Sequence, residues 1–199
     1  MLKQAAIRLL DSENEHENKP CLKRRGFLKL AALTVGGLAA SPALAGLTAP
    51  RDRILSMYST NTGENIRTVY WTPRDGYVRD SLRQISWVLR DYRTDEVKNI
   101  DPILLDQLYT LQFIMDYNLP LHVISGYRSP ATNAMLHRAS GRVARNSYHI
   151  QARAMDIRMP GRRVSDLRRA AVSLQAGGVG YYPYSNFIHI DTGPIRYWS

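Results

Sequence analysis

Two histidines and two aspartates in the C-terminal part of the sequence have the types and spacing of a metal site. His149 and Asp156 stand seven positions apart in RNSYHIQARAMDIRMPG (residues 145–161), and His189 and Asp191 stand in FIHID. Two histidines and one aspartate make a three-ligand set with a fourth position open, which is the arrangement of catalytic zinc. Zinc in such a set lowers the pKa of a water towards neutrality and polarises a carbonyl. His149, Asp156 and His189 therefore predict metal-assisted hydrolysis.

The run around His189 supports this interpretation. Strand alternation places Phe187, His189 and Asp191 on one face and the two isoleucines on the other. A face that carries a histidine and an aspartate is not a usual core face. The pattern therefore indicates a site on that side of the strand.

The chain also offers a simpler explanation for Asp156. Its neighbours are small and apolar, and an unpaired buried charge is expensive, so Arg153 or Arg158 would serve as a salt-bridge partner. Spacing alone leaves both explanations open. We expect structural roles for the other two histidines outside the N-terminal segment, His122 and His137.

The first 45 residues have the organisation of an export signal. KRRGFLK (23–29) precedes an apolar run rich in Ala and Gly, and Ala43-Leu44-Ala45 matches a small-residue cleavage site. The arginine pair resembles a twin-arginine signal. The alternative is an uncleaved membrane helix, but the run is only marginally long and contains Pro42. We expect a periplasmic protein with one domain over 46–199 and no stable membrane insertion after cleavage.

Composition restricts the chemistry of residues 46–199. The only cysteine is Cys21 and the only lysine after the signal is Lys98, so thiol nucleophiles and a Ser-x-x-Lys site are excluded. Nucleophile-elbow and phosphate-loop motifs do not occur in the sequence. His, Asp, Glu, Tyr and Arg remain, or a metal that they hold.

The charge balance indicates an anionic partner. The segment 1–45 holds 7 of the 27 Lys+Arg and 4 of the 17 Asp+Glu, so 20 minus 13 leaves a formal charge of +7. For an exported protein this favours cell wall or membrane surface. We expect no nucleic-acid partner, because no base-reading motif is present, and we expect a monomer.

The elements that must position these residues alternate in type along the chain. β-favouring runs flank a turn at 61–65, and two helical spacings follow before a short buried strand. Ser129 and Pro130 are typical of a helix start. We predict strands at 53–59, 66–71, 121–125, 154–158, 178–182 and 187–190, and helices at 78–92, 102–116, from 130, and at 163–175. This order predicts an α+β fold, an antiparallel sheet with helices packed on one side.

Three stretches resemble a known family. SGYRSPATNAML (125–136), SYHIQARAMDIRMPG (147–161) and GGVGYYPYSNFIHIDTG (177–193) resemble exported murein endopeptidases of the murein endopeptidase K type. These are similar to the LAS zinc metallopeptidases, which include lysostaphin-like enzymes, D-Ala-D-Ala peptidases and the hedgehog signalling domain. The resemblance implies a LAS/hedgehog-like fold. This sequence departs from the family pattern Ser-x-His-x-x-Gly-x-Ala-x-Asp at Ala152, where glycine is usual.

The resemblance also implies roles for individual residues. His149, Asp156 and His189 are implied as the zinc ligands. Arg128 is implied to lie near the site and to help polarise the scissile carbonyl. Ser147 is implied to contact the substrate, and we include Tyr127, from the same Ser-Gly-Tyr-Arg stretch as Arg128, among the substrate-binding residues.

The general base does not carry over from the relatives. Many of them place Glu or Asp three residues before the last ligand, or His two before it, where this chain has Asn186 and Phe187. Neither side chain accepts a proton from water. Asp191 is the candidate base, and the alternative is that it orients His189 as a hydrogen-bond partner.

Together these features predict a zinc-dependent murein endopeptidase that hydrolyses peptide cross-links in peptidoglycan through water activated by the metal. A D,D-carboxypeptidase or dipeptidase with the same site is one alternative. A non-catalytic cell-wall-binding module that keeps the metal for structure is the other.

Overall fold

The computed structural model describes residues 51–141 and 143–199, which belong to one compact unit. The predicted signal peptide lies outside the described residues. Within them, none of the helices is long and apolar enough to cross a membrane.

The described residues form eight strands and four α-helices, so the predicted α+β class is confirmed. The strands are β1 Arg53–Ser59, β2 Asn65–Thr72, β3 Gly76–Tyr77, β4 Leu121–Ser125, β5 Ala154–Arg158, β6 Gly178–Tyr182, β7 Phe187–Asp191 and β8 Arg196–Trp198. The helices are α1 Arg79–Val88, α2 Pro102–Ile114, α3 Pro130–Ser140 and α4 Val164–Ser173, with a 3-10 turn at Tyr148–Gln151.

All eight strands form one sheet in the order β3-β2-β1-β4-β5-β7-β6-β8. Most neighbours are antiparallel, but β4 runs parallel to β1 and β8 runs parallel to β6. The prediction of an antiparallel sheet is therefore wrong for these two pairs. The chain between β1 and β4 contains two strands and two helices, long enough for the crossover that a parallel pair requires. β8 lies parallel to β6 because the chain reverses once into β7 and again before β8.

The strands that the sequence did not predict are the two at the edges of the sheet. β3 has 2 residues and β8 has 3. Such short segments do not show a recognisable alternation of apolar and polar residues. The omission matters for β8, because this strand borders the candidate site.

The apolar core lies on one face of the sheet. Leu55 and Met57 of β1, together with Ile157 of β5 and Ile188 of β7, are fully buried in one cluster. Helices α1, α2 and α4 contribute to the same cluster, chiefly through leucines such as Leu104. Because successive side chains of a strand point to opposite faces, the alternate residues of β5 and β7 face away from this core.

The start of helix α3 is fixed by two hydrogen bonds. The Ser129 hydroxyl accepts from the backbone N–H of Thr132 at 3.1 Å, so the predicted cap is confirmed. The backbone N–H of Ser129 donates to the buried carboxylate of Asp91 at 2.8 Å. These bonds hold the chain directly after Arg128 in place.

Candidate metal centre

The structure brings His149, Asp156 and His189 together on the face of the sheet opposite the apolar core. Asp156 and His189 are cross-strand partners on β5 and β7. His149 Nε2 lies 3.2 Å from Asp156 Oδ1 and 3.1 Å from His189 Nδ1, and His189 Nδ1 lies 2.9 Å from Asp156 Oδ1. Nitrogen and oxygen ligands of a tetrahedral zinc stand about 3.3 Å apart, given bonds of about 2.0–2.1 Å. The three atoms have the spacing of one metal site.

Hydrogen bonds on the outer edges of the two imidazoles determine which ring nitrogens carry protons. His149 Nδ1 lies 2.6 Å from the carbonyl oxygen of Gly126, and His189 Nε2 lies 2.9 Å from Asp191 Oδ2. Both oxygens only accept, so both ring nitrogens donate. When each ring carries only that outer proton, His149 Nε2 and His189 Nδ1 can face a cation together with the Asp156 carboxylate. Three converging electron donors fit a bound cation.

The electrostatics distinguish the two histidines of the cluster. Burial lowers the pKa of His149, so its ring is neutral at neutral pH. Burial opposes ionisation of Asp156, but the neighbouring imidazoles outweigh it and hold the pKa of that carboxyl well below its usual range. Burial also opposes protonation of His189, yet hydrogen bonds to Asp156 and Asp191 raise its pKa. In the metal-free cluster, His189 is therefore the histidine that takes up a proton.

A short 3-10 turn presents His149. The Ser147 hydroxyl accepts from the backbone N–H of His149 at 3.3 Å, and the turn ends at Ala152 in the left-handed region, with φ of 56° and ψ of 33°. A side chain is strained in this conformation, whereas glycine is not. The structure thus explains why glycine is usual at this position, and Ala152 adopts the turn in spite of its methyl group.

Asp156 does not form the salt bridge proposed as the simpler explanation. Among the described residues its ion pairs are with Arg128 and the two histidines, and not with Arg153 or Arg158. The Arg128 guanidinium donates to Asp156 Oδ2 at 2.6 Å, and the same nitrogen lies 3.3 Å from His149 Nε2. Arg128 therefore lies at the cluster, as the resemblance implied.

Asp191 lies on the side of His189 that faces away from the cluster. Its carboxylate is fully buried and accepts from the backbone N–H groups of Gly178 at 3.1 Å and Gly193 at 2.8 Å. Arg196 donates to both of its oxygens, at 3.0 and 2.7 Å. Burial opposes its ionisation, but His189 and Arg196 hold its pKa far below the usual range. The general-base role predicted for Asp191 does not fit this position, because the imidazole separates the carboxylate from the cluster.

Two glycines of β6 make room for the side chains of β8. A Cβ atom at Gly178 would lie 2.5 Å from the Arg196 guanidinium, and one at Gly180 would lie 2.6 Å from the Trp198 ring. Arg196 and Trp198 therefore lie across β6 towards His189, whose ring centroid is 5.2 Å from that of Trp198. Sequence reasoning missed Arg196 and Trp198 as site residues. The spacing of Gly178 and Gly180 was the signal that could have indicated them.

The cluster opens into a cavity of about 350 Å³. Arg128 and Ser147 line it, as predicted for residues near the substrate, and Asp156 is the only carboxylate among the described residues that line it. Sequence reasoning missed four aromatic residues of its wall as site residues: Tyr148, Tyr182, Phe187 and Trp198. Phe187 had a signal in strand alternation, which placed it on the same face as His189, and Trp198 had one in the glycine spacing of β6.

Tyr127 does not line this cavity. Its ring is buried, its backbone N–H donates to the carbonyl of Leu89 at 2.9 Å, and its hydroxyl lies 3.5 Å from Glu96 Oε2. The predicted contact between Tyr127 and substrate is not compatible with this position. The side chains of these two consecutive residues point to different sides, so Arg128 reaches the cluster and Tyr127 packs inside.

The two remaining histidines of the described chain lie outside the cluster and do not line its cavity. The ring centroid of His122 is 4.9 Å from that of Tyr58, and His137 Nδ1 lies 2.6 Å from the carbonyl oxygen of Val143. Asn186, where relatives place an acid, occupies a turn with φ of 52° and is not part of the cavity wall. Asparagine tolerates that left-handed conformation well.

An α+β domain with a buried His–Asp–His cluster at the base of an open cavity has the make-up of a metal-dependent hydrolase. Comparison with known proteins identifies the family. The model of a family described as peptidoglycan L,D-endopeptidase MepK matches residues 47–198. The chain belongs to this family of peptidases, and the resemblance to murein endopeptidases is confirmed.

Individual relatives agree with the family model. The chain is 46% identical over 176 residues to peptidoglycan L,D-endopeptidase MepK of Escherichia coli (strain K12), which covers 88% of this chain and 96% of the relative. A relative from Shigella flexneri with the same name matches equally well. The probable peptidoglycan L,D-endopeptidase MepK of Haemophilus influenzae is 40% identical over 178 residues, or 88% of this chain and 95% of the relative.

Proposed function

We propose that this protein is a zinc-dependent peptidoglycan L,D-endopeptidase that hydrolyses peptide cross-links in the cell wall. The observation that carries the proposal is the convergence of His149 Nε2, His189 Nδ1 and Asp156 Oδ1 in a cavity, within a chain of this endopeptidase family. His149, Asp156 and His189 would hold the metal. A zinc ion bound there supplies a Lewis acid that polarises the scissile carbonyl and makes water a nucleophile near neutral pH.

The choice of zinc rests on the donor set. The donors are two imidazole nitrogens and one carboxylate oxygen, and the only cysteine, Cys21, lies outside the described residues. A donor set without cysteine is typical of catalytic zinc sites rather than structural ones. Hard cations such as magnesium prefer oxygen ligands in octahedral arrangements. The spacing of about 3 Å between donor atoms suits a tetrahedral ion with one open position.

Arg128 is the residue that we assign to the developing negative charge on the scissile carbonyl oxygen. Its guanidinium lines the cavity, is held by the Ser125 hydroxyl at 2.8 Å and by Asp156 at 2.6 Å, and is mostly buried. A cation fixed before the reaction stabilises an oxyanion without having to reorganise. Ser147 lies in the same wall and would hydrogen-bond the peptide of the substrate.

Asp191 is assigned an orienting role. It accepts the Nε2 proton of His189 and thereby keeps the Nδ1 lone pair available on the cluster side. Arg196 and two backbone N–H groups hold the carboxylate in turn. Among the described residues that line the cavity, Asp156 is the only carboxylate.

The remaining expectations about the protein follow from the same proposal. Export by a twin-arginine signal over residues 1–45 would place the domain 46–199 in the periplasm, where peptidoglycan lies. We propose a LAS/hedgehog-like fold and a monomer. The formal charge of +7 for residues 46–199 favours a wall polymer with many carboxylates.

One observation favours a second candidate, the non-catalytic wall-binding module. A second carboxylate that would serve as general base is not among the described residues lining the cavity. A protein of this kind would hold zinc and bind peptidoglycan but would not cleave it.

Incubation of the purified, zinc-loaded protein with cross-linked muropeptides tests the proposal. We expect products whose masses match hydrolysis of an L,D cross-link. Release of a single terminal residue would identify a carboxypeptidase, and intact muropeptides together with bound zinc would identify the binding module. His189→Ala should abolish cleavage, whereas His122→Ala, which removes a histidine outside the cavity, should retain it.

A further inference from the structure

Three aromatic side chains form an exposed surface beside the metal cavity. Tyr184 is fully exposed on the turn between β6 and β7, Tyr182 is 37% exposed at the end of β6, and Trp198 is half-buried in β8. We call these three residues the aromatic platform. They border a cleft that also includes Tyr181 and Pro183.

Two of the three platform rings, those of Tyr182 and Trp198, are held by contacts with neighbouring side chains. The Tyr182 ring stacks on the ring of Phe187, with centroids 4.6 Å apart and planes 18° apart. The Trp198 indole N–H donates to the Tyr182 hydroxyl at 2.9 Å. The turn is closed by a hydrogen bond of 3.1 Å from the Asn186 N–H to the Pro183 carbonyl. A surface fixed in this way loses little conformational entropy on binding.

The platform is continuous with the metal cavity. Tyr182 and Trp198 line both the cavity and the platform cleft. A substrate that occupies the cavity and extends past this wall therefore meets the platform next.

The chemistry of the cleft identifies the part of the substrate that it suits. Among the described residues its lining includes no aspartate or glutamate, and the only charged side chain is Arg168. The faces of aromatic rings carry partial negative charge and attract the weakly positive C–H groups of a sugar ring, while tyrosine hydroxyls and the indole edge offer polar contacts. Aromatic faces with polar edges match the C–H faces and hydroxyl groups of pyranose rings.

We propose that the aromatic platform binds the glycan strand of peptidoglycan, through the pyranose faces of its N-acetylated amino sugars. This proposal rests on the proposed function. Cross-linked stem peptides are attached to the glycan, so a strand held on the platform would direct its peptide into the cavity. Tyr184 supplies the outermost stacking face, and Tyr182 and Trp198 connect it to the cavity.

The test compares two substrates with the same cross-link. One consists of cross-linked peptides that still carry their sugars, and the other of the same peptides after the sugars have been removed with an amidase. Tyr184→Ala should lower kcat/KM by about tenfold on the sugar-bearing substrate and leave the sugar-free substrate unaffected. Tyr184→Phe keeps the ring and should behave as the unmodified protein. Phe113→Ala removes another exposed aromatic ring, 80% exposed and outside this cleft, and serves as the matched control.

If Tyr184→Ala and the unmodified protein cleave both substrates at equal rates, the proposal that the platform binds glycan is wrong, and the proposed endopeptidase function is unaffected. Equal losses on both substrates would also overturn the glycan-binding proposal. If the unmodified protein cleaves neither substrate, the proposed function fails, and the platform is then tested by equilibrium binding to peptide-free glycan strands. Tyr184→Ala should weaken that binding by about tenfold, and unchanged binding would refute the proposal.

Discussion

Strands β5 and β7 carry two buried faces of opposite character. On one face Ile157 and Ile188 are both 0% exposed and pack into the apolar cluster. On the other face Asp156 and His189 are 5% and 8% exposed and converge on a candidate metal position. Burial stabilises the apolar face directly, whereas buried polar groups cost free energy unless they are fully paired. Alternate residues along the same two strands therefore serve stability on one face and chemistry on the other.

The separation predicts that a change on the polar face affects activity most. His189→Ala removes one proposed ligand and should lower cleavage of cross-linked muropeptides by at least about 100-fold, because loss of a residue that only supports a ligand already costs up to about 100-fold. Circular dichroism should show a retained fold, because the ring contributes nothing to the apolar cluster. Cleavage at the normal rate by the folded variant would exclude His189 as a ligand.

A change on the apolar face should have the opposite profile. Ile188→Ala leaves a cavity in the core and should lower the free energy of unfolding by about 2–5 kcal/mol in denaturant titrations. Activity per folded molecule should stay within a factor of about two. Ile188→Val, a smaller deletion at the same site, should cost only about 0.5–1.5 kcal/mol. If Ile188→Ala instead lost zinc while remaining folded, the two faces would not be independent.

Asp191 lies behind the polar face and sharpens the distinction between ligand and support. Asp191→Asn should weaken zinc binding by about 10–100-fold, because an amide orients the His189 ring less strongly than a carboxylate does. Competition with a chelator measures this directly. The decrease in kcat of the zinc-saturated variant should be smaller than the decrease in zinc affinity. A complete loss of turnover at saturating zinc would instead indicate that Asp191 is the general base.

Acid should remove the metal before it unfolds the apolar face. The pKa of His189 is raised when no metal is bound, so a proton competes with the metal for Nδ1. Zinc affinity should therefore fall as the pH falls through that raised pKa, and it should be restored on returning to higher pH. Calorimetric titrations between about pH 5 and pH 8 test the sign. An affinity that rises with acidity would contradict the predicted protonation of His189.

The smallest expected effect concerns the turn that presents His149. Ala152 is buried with φ of 56°, so Ala152→Gly should raise the free energy of unfolding by about 0.5–1 kcal/mol by relieving left-handed strain. Ala154 is equally buried but lies in strand β5, where glycine only loosens the chain. Ala154→Gly should therefore destabilise by about 1 kcal/mol. Thermal unfolding of the two variants should shift in opposite directions.

Several features were accessible from local sequence patterns. The alternation in FIHID separated the core face from the site face of β7, and Ser129-Pro130 predicted the start of α3, because both signals depend on neighbouring residues only. The motif that contains His149 and Asp156, together with His189, indicated a metal site. The N-terminal signal over residues 1–45 remains a prediction from sequence.

Tertiary structure decided the features that depend on residues distant in sequence. Arg128, and not Arg153 or Arg158, pairs with Asp156, because β4 lies beside β5 and the chain after β4 turns towards the cluster. Asp191 is separated from the cluster by the width of an imidazole ring, which the position of a residue along a strand does not reveal. Arg196 and Trp198 reach His189 only because β8 pairs beside two glycines of β6.

The sequence by itself therefore determined which strand positions are apolar and which are polar, the helix start at Ser129 and the types of the three candidate ligand residues. Those properties follow from local geometry, since side-chain direction alternates and caps act over three residues. Only the tertiary structure decided which ring nitrogens face the cluster, which arginine faces the candidate ligands and which aromatic side chains border the cavity. Each of these depends on contacts between strands that are far apart in the chain, and such contacts are settled by packing of the whole sheet.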